Sequence, residues 1–139
     1  MDVNINLTKH TRAWLTAAKI PTTSQERDRY ISDYETVLLH DAFTAQSKLK
    51  LPMVDLMDFA LATGMRLGEI CGITHEDLKH NEGTIIIRDR KDPKRKLGNH
   101  MTVPLSSIAR GIIQRQPTMV GRIFPFRPNS VSVAWIVGC

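Results

Sequence analysis

The sequence contains few cysteines and no long hydrophobic segment. Its two cysteines, Cys71 and Cys139, are too few for a disulfide framework, and a reducing compartment is the usual setting for such a chain. No apolar run approaches the roughly 20 residues that cross a bilayer. The first residues, MDVNINLTKH, lack the basic-then-apolar order of a signal peptide. We therefore expect a cytoplasmic protein without a membrane partner.

Histidine spacing suited to metal binding is also lacking. The sequence shows no H-x-x-x-H or cysteine–histidine pattern of the kind that binds zinc. The histidines are His10, His40, His75, His80 and His100. The sequence thus predicts neither a metal site nor a cofactor.

Acidic residues are absent from Met101 to Cys139, a segment that holds four arginines. Residues 79–100 carry seven basic and three acidic residues, whereas residues 1–78 carry eight basic and eleven acidic ones. The net charge of +5 therefore arises in the second half of the chain. This distribution favours a polyanionic partner such as double-stranded DNA. The alternative is a solvated basic face that has no partner.

The chain reads as an arm followed by one domain. Residues 1–23 have weak helical spacing, which a proline and a Thr-Thr-Ser run then break. Residues 24–139 form the predicted domain. Its first helix is predicted to start after Ser32, because Ser32 and Glu35 have the S-x-x-E spacing of a capping box. We expect this helix to run to about Phe43, with Val37 and Leu38 facing inward.

A second helix is predicted between Pro52 and Gly64. Proline is tolerated in the first helical turn, and glycine suits a left-handed cap because it has no Cβ. Val54, Met57 and Leu61 share one apolar stripe of this helix. A short further helix follows directly, beginning at residue 67.

Two short strands are predicted next, at residues 84–88 and 101–104, because both stretches are rich in strand-forming residues. The long polar loop between them makes a hairpin with a basic tip. Ser106 or Ser107 is expected to cap a helix from about Ile108 to Gln116, and Ser130 a last helix. The predicted fold class is α+β, mostly helical, with a small antiparallel sheet.

Arg66 lies at the junction of two predicted helices, next to the basic hairpin. A guanidinium is always charged and offers a planar fork of donors to phosphate oxygens. Its place predicts a phosphate-binding site. The alternative is that Arg66 pairs with Glu69 and with nothing else.

The segment Gly64-Met65-Arg66-Leu67-Gly68-Glu69, followed by a Thr-His-Glu-Asp turn, resembles the first arginine box of tyrosine recombinases, the phage integrase family. The resemblance continues through the lysine-bearing hairpin, the Val103-Pro104-Leu105 step and Arg122-Ile-Phe-Pro125. It covers residues 27–139. It implies a partial tyrosine-recombinase catalytic fold, a role in DNA integration or site-specific recombination, and chemistry that needs no metal.

The resemblance also implies roles for individual residues. Arg66 would bind the scissile phosphate, with Glu69 in support. Lys91 best matches the hairpin lysine that acts as general acid toward the leaving 5′ oxygen, although Lys94 and Lys96 compete with it. The cations expected to contact DNA are Arg66, Arg88, Arg90, Lys91, Lys94, Arg95 and Lys96.

The sequence departs from the family pattern on both sides of the arginine box. The family's N-terminal helical domain is expected to be absent or reduced to the arm of residues 1–23. The family's second box, His-x-x-Arg, and its nucleophilic tyrosine come after the last predicted helix and are not found here, since Tyr30 and Tyr34 both precede Arg66. We expect a truncated catalytic domain that binds DNA but does not recombine it alone. A prophage remnant and a module that blocks full-length recombinase are the alternatives. Apolar surface around Trp135 should then be exposed and favour self-association.

Overall fold

The computed structural model describes residues 29–46, 50–91, 94 and 97–138. The chain divides into two units, Met1–Ile31 and Ser32–Cys139, and the account below concerns the second. The arm predicted for residues 1–23 and the domain boundary after it lie outside the described residues.

The first two helices begin and end at the predicted signals. Helix α1 spans Asp33–Ala45, and its capping box is present. Ser32 Oγ accepts from the Glu35 N–H at 3.2 Å, and Glu35 Oε2 accepts from the Ser32 N–H at 3.0 Å. Helix α2 spans Met53–Thr63 and ends at Gly64, whose φ of 65° is left-handed. Both predictions are confirmed.

A one-turn helix, α3, spans Leu67–Ile70, and a 3-10 turn spans His75–Asp77. The sheet described next is antiparallel and follows the order β1-β2-β3. Its strands are β1 Leu78–Lys79, β2 Thr84–Ile87 and β3 Met101–Pro104. The hairpin of β2 and β3 is as predicted, whereas β1 was not predicted.

Two helices complete the described chain. Helix α4 spans Ser107–Arg115, and Ser106 caps it by accepting from the Ala109 N–H at 3.2 Å. Helix α5 spans Pro128–Gly138. It begins two residues before Ser130, so Ser130 lies inside the helix and the predicted cap there is wrong. Proline suits the first helical position. The α+β fold with a small antiparallel sheet is confirmed.

The core lies between α2, the sheet and α4. Phe59 and Phe124 are fully buried, and their tilted rings have centroids 5.1 Å apart. Ile85 of β2 and Ile112 of α4 are buried in the same cluster. Cys71 is also buried, and burial raises the pKa of its thiol more than nearby Arg122 lowers it. These contacts fix the two elements that carry the site, α3 and the hairpin.

Several predicted core positions are wrong. Val37 and Leu38 of α1 are 57% and 48% exposed, and Leu61 of α2 is 53% exposed. Apolar residues occupy most sides of α2, so helical period alone does not select the buried one. The structure buries Phe59 together with Met57, which belongs to the predicted stripe.

Candidate functional site

A cleft of about 350 Å³ opens between α3 and the hairpin. Six of its eleven lining residues are charged. The lining residues are Arg66, Gly68, Glu69, Gly72, Ile73, Asp77, Ile86, Ile87, Arg88, Asp89 and Lys91. The cleft therefore brings Arg66 together with Asp89 and Lys91 at the start of the predicted basic loop.

Arg66 directly precedes α3 and is held there by Glu69. Its backbone N–H donates to Glu69 Oε2 at 2.9 Å, and its Nη1 donates to Glu69 Oε1 at 3.3 Å. The same Nη1 donates to the carbonyl oxygen of Lys91 at 3.3 Å. Arg66 thus pairs with Glu69 and, in addition, contacts the hairpin. Its side chain remains 57% exposed.

Arg90 is the second cation on Glu69. Its Nε lies 3.3 Å from Glu69 Oε1, and Glu69 is only 10% exposed. The Arg90 side chain is 26% exposed and also contacts the sulfur of Met101. Two guanidinium groups therefore share one nearly buried carboxylate. Both arginines contact this carboxylate, and the Arg66 side chain is the more exposed of the two.

Arg88 pairs with a different acid, Asp77. Arg88 Nε donates to Asp77 Oδ1 at 2.6 Å; the Asp77 side chain is 3% exposed and that of Arg88 is 64% exposed. Asp77 Oδ2 also accepts from the Thr74 N–H at 3.2 Å and the Thr74 hydroxyl at 2.8 Å. Burial raises the pKa of Asp77, but the bonds from Arg88 and Thr74 outweigh it and leave the pKa below its ordinary value.

Asp77 has no assigned role in the sequence prediction. Leu78 of β1 pairs with Ile85 of β2. Continuing this register by one residue sets Asp77 opposite Ile86, with Arg88 on the diagonal. A long side chain on the diagonal of an antiparallel pair is within reach. The register of β1 and β2 was therefore the signal that could have predicted the Asp77–Arg88 contact, but using it requires β1 to be recognised.

The hairpin loop is closed by hydrogen bonds at its base. Asp89 has a positive φ of 47°, a conformation that aspartate adopts more readily than most residues. Its Oδ1 accepts from the Gly98 N–H at 2.8 Å. One residue on, the Arg90 N–H donates to the Asn99 carbonyl oxygen at 2.8 Å. These bonds hold Lys91 at the cleft.

The predicted basic residues of the loop separate into three groups. Lys91 is exposed and lines the cleft, whereas Lys94 is exposed and is not among the lining residues. Arg95 and Lys96 lie outside the described residues. Of the two candidate lysines that the structure describes, Lys91 and Lys94, Lys91 is the one that lines the cleft with Arg66.

The described part of the chain holds no metal-binding cluster and no helix that could cross a membrane. No group of three or more His, Cys, Asp or Glu side chains there could hold a metal ion. Within the same residues, no helix has the length and apolar character to cross a membrane.

The arginine before a one-turn helix, the three-stranded sheet and the basic hairpin define a tyrosine recombinase catalytic fold. A match to the phage integrase family covers residues 29–122, and the chain belongs to that family. The predicted resemblance is therefore confirmed.

Three known proteins show the extent of the similarity. The shufflon-specific DNA recombinase of Escherichia coli is 30% identical over 118 residues, which are 83% of this chain and 28% of that protein. The crystal structure of XerA recombinase superposes with a TM-score of 0.55 at 17% identity, over 94% of this chain and 51% of XerA. Lambda integrase, crystallised as a tetramer bound to a Holliday junction, gives a TM-score of 0.61 at 17% identity, over 95% of this chain and 44% of that one. The two structures share the fold, and the chain spans about half or less of each relative.

Proposed function

We propose that the cleft binds a phosphate group of double-stranded DNA, as part of site-specific recombination of the phage integrase type. The observation that carries this proposal is that Arg66 Nη1 donates two hydrogen bonds, one to Glu69 and one to the Lys91 carbonyl oxygen. These contacts use one nitrogen of the fork. Among the described residues, Nε and Nη2 of Arg66 have no hydrogen-bonded acceptor. The edge of the guanidinium formed by Nε and Nη2 can therefore donate to two oxygens of a phosphate.

The proposal gives the neighbouring residues different parts. Arg66 binds the scissile phosphate and stabilises the charge that develops on it. Glu69 holds Arg66 in place, and Lys91 is the general acid for the leaving 5′ oxygen. The cations proposed to contact DNA are Arg66, Arg88, Arg90, Lys91, Lys94, Arg95 and Lys96. Such a protein would act in the cytoplasm, as a prophage product.

These 139 residues are proposed to bind DNA without recombining it. In the family reaction, a tyrosine oxygen attacks phosphorus, forms a 3′-phosphotyrosine and releases the 5′ oxygen, and this step needs its nucleophile. No tyrosine follows Arg66 in the sequence. Tyr34 is 72% exposed on α1 and does not line the cleft. Strand exchange would need groups supplied from outside these residues.

A gel-shift titration with a short DNA duplex, repeated at two salt concentrations, tests the binding proposal. Arg66→Gln should weaken binding about tenfold, which corresponds to a lost charged contact of about 1.4 kcal/mol. It should also reduce the salt slope by about 0.9, the value for one phosphate contact. Arg110→Gln is the matched control, because Arg110 is exposed and does not line the cleft. Equal effects of the two substitutions would count against the proposal. Phosphotyrosine trapping on a nicked duplex should give no covalent adduct.

The second candidate is a module that associates with recombinase subunits, including its own copies. Helix α5 exposes Val133, Ile136 and Val137 by 60%, 74% and 66%. Beside it lies an apolar groove of about 330 Å³ between α2 and α5, which includes Trp135. Exposed apolar surface of this kind favours association.

Light scattering over a wide concentration range tests this second candidate. Ile136→Ser should shift the chain toward a monomer, because Ile136 lines the groove. Val120→Ser is the control, since Val120 is 83% exposed and lies away from the groove. A monomer at every concentration would exclude self-association. Adding the chain to a full-length recombinase then distinguishes an inhibitor from a bystander.

A further inference from the structure

The Asp77–Arg88 pair joins a buried carboxylate to a projecting guanidinium. Asp77 is 3% exposed, whereas Arg88 is 64% exposed, and both line the cleft that contains Arg66. The carboxylate is anchored by Thr74, which donates both its backbone N–H and its hydroxyl to Asp77 Oδ2. Thr74 therefore holds the Asp77 carboxylate in place, and this carboxylate in turn bonds Arg88.

The geometry of the pair leaves the end of Arg88 available. Structural pairs between arginine and a carboxylate are frequently bidentate, with two parallel N–H···O bonds. Here the bond runs from Nε, the nitrogen at the base of the fork, to Oδ1 at 2.6 Å. Among the described residues, no acceptor is hydrogen-bonded to either Nη group of Arg88.

We propose that Asp77 is a positioning residue that holds Arg88 so that its two Nη groups bind a second DNA phosphate in the cleft, beside the one bound by Arg66. The inference rests on the proposed DNA-binding function. Glu69 supports Arg66 in a similar way, since it is 10% exposed and bonds one nitrogen of that fork. A side chain that is already held loses less conformational freedom when its ligand binds.

The alternative is an ion pair that stabilises the fold without contacting DNA. The substitution Asp77→Asn separates the two because they predict opposite signs. It removes one negative charge from the cleft, so that simple electrostatic attraction would tighten DNA binding. If Asp77 positions Arg88, the same substitution releases the fork and weakens binding.

The experiment measures binding of the whole chain to a short DNA duplex, at a temperature at which circular dichroism shows each variant to be folded. Asp77→Asn and Arg88→Gln should each weaken binding about tenfold. Arg88→Gln should also lower the salt slope by about 0.9, the loss of one phosphate contact. Arg88→Lys keeps the charge but lacks the fork, so it should bind more weakly than wild type and keep most of the slope.

Tight binding by the variants would overturn the inference. It fails if Asp77→Asn binds as tightly as wild type or more tightly, or if Arg88→Gln matches the Arg110→Gln control. If Asp77→Asn does not fold, Arg88→Lys decides, because binding equal to wild type shows that no fork is used. Loss of binding in Arg66→Gln with unchanged Arg88 variants would reject this inference alone. Unchanged binding in all of them would reject the proposed function as well.

Discussion

Arg66 and Lys91 are 25 residues apart in the chain and meet through a hydrogen bond from Arg66 Nη1 to the Lys91 carbonyl oxygen, 3.3 Å long. The acceptor belongs to the main chain, so the bond does not depend on the side chain at position 91. Its effect is to join the start of α3 to the hairpin. The Lys91 side chain is left exposed at the cleft.

Removing the Lys91 side chain should therefore change binding without changing the fold. We expect Lys91→Ala to alter the free energy of unfolding by less than about 0.5 kcal/mol, as for other exposed substitutions. Its DNA affinity should fall, because one cation is lost from the cleft. Urea denaturation and gel-shift titration measure the two effects. A large loss of stability would show that the side chain, and not the carbonyl group, joins the hairpin to Arg66.

Glu69 should be one of the residues of the cleft on which the stability of the fold depends. Its carboxylate accepts from the Arg66 backbone, the Arg66 side chain and Arg90 while being 10% exposed. Glu69→Gln keeps the shape but loses the charge, so we expect a loss of about 1–3 kcal/mol in the free energy of unfolding.

The control for that substitution is Glu82→Gln. Glu82 is 60% exposed and pairs with Lys79 at 3.7 Å. Exposed pairs of this kind contribute about 0–1 kcal/mol. Thermal unfolding of both variants at one pH gives the comparison. Equal losses would mean that the carboxylate shared by two arginines is not stabilising.

The pH dependence of stability should depend on Asp77. Burial raises its pKa, but the bonds from Arg88 and Thr74 lower it further, and the net pKa lies below the ordinary value. A lowered native pKa means that the charged form stabilises the fold. This contribution is complete above the unfolded pKa of about 3.9 and is lost as the pH falls through the native value.

Asp77→Asn tests that dependence directly. Wild type should exceed the variant by about 1–3 kcal/mol at pH 7, because the asparagine lacks the charged bond. The difference should shrink when unfolding is measured below about pH 3, a pH under the unfolded pKa of an aspartate. Urea denaturation followed by tryptophan fluorescence measures both values. A difference that grows on acidification would contradict the prediction.

Local signals predicted the frame of the site well. The capping box at Ser32, the left-handed Gly64 and the hairpin strands are all determined by neighbours close in sequence. The arginine box and the hairpin together also indicated the family, which the comparison confirms. The functional roles of Arg66 and Lys91 stay predictions.

Long-range relationships were the part that could not be predicted. Val37 and Leu61 were predicted to be buried, yet both are exposed, because the buried side of a helix depends on what packs against it. Strand β1 has only two residues, too few to establish an alternating pattern, so the sequence does not indicate it. Because β1 was not predicted, the sequence did not indicate that Asp77 and Arg88 are neighbours.

Two glycines should respond to alanine with opposite signs. Gly64 ends α2 with a φ of 65°, and a Cβ built there meets no atom within 4 Å. Any cost of Gly64→Ala therefore comes from the left-handed backbone alone, and we expect a loss of about 1 kcal/mol.

Gly111 lies inside α4, and a Cβ there likewise meets no atom within 4 Å. Its backbone is not left-handed, so Gly111→Ala should stabilise the protein by about 0.5–1 kcal/mol. Urea denaturation of the two variants measures both shifts. If the two shifts have the same sign, then either α2 does not end in a left-handed cap or α4 is not a regular helix at Gly111.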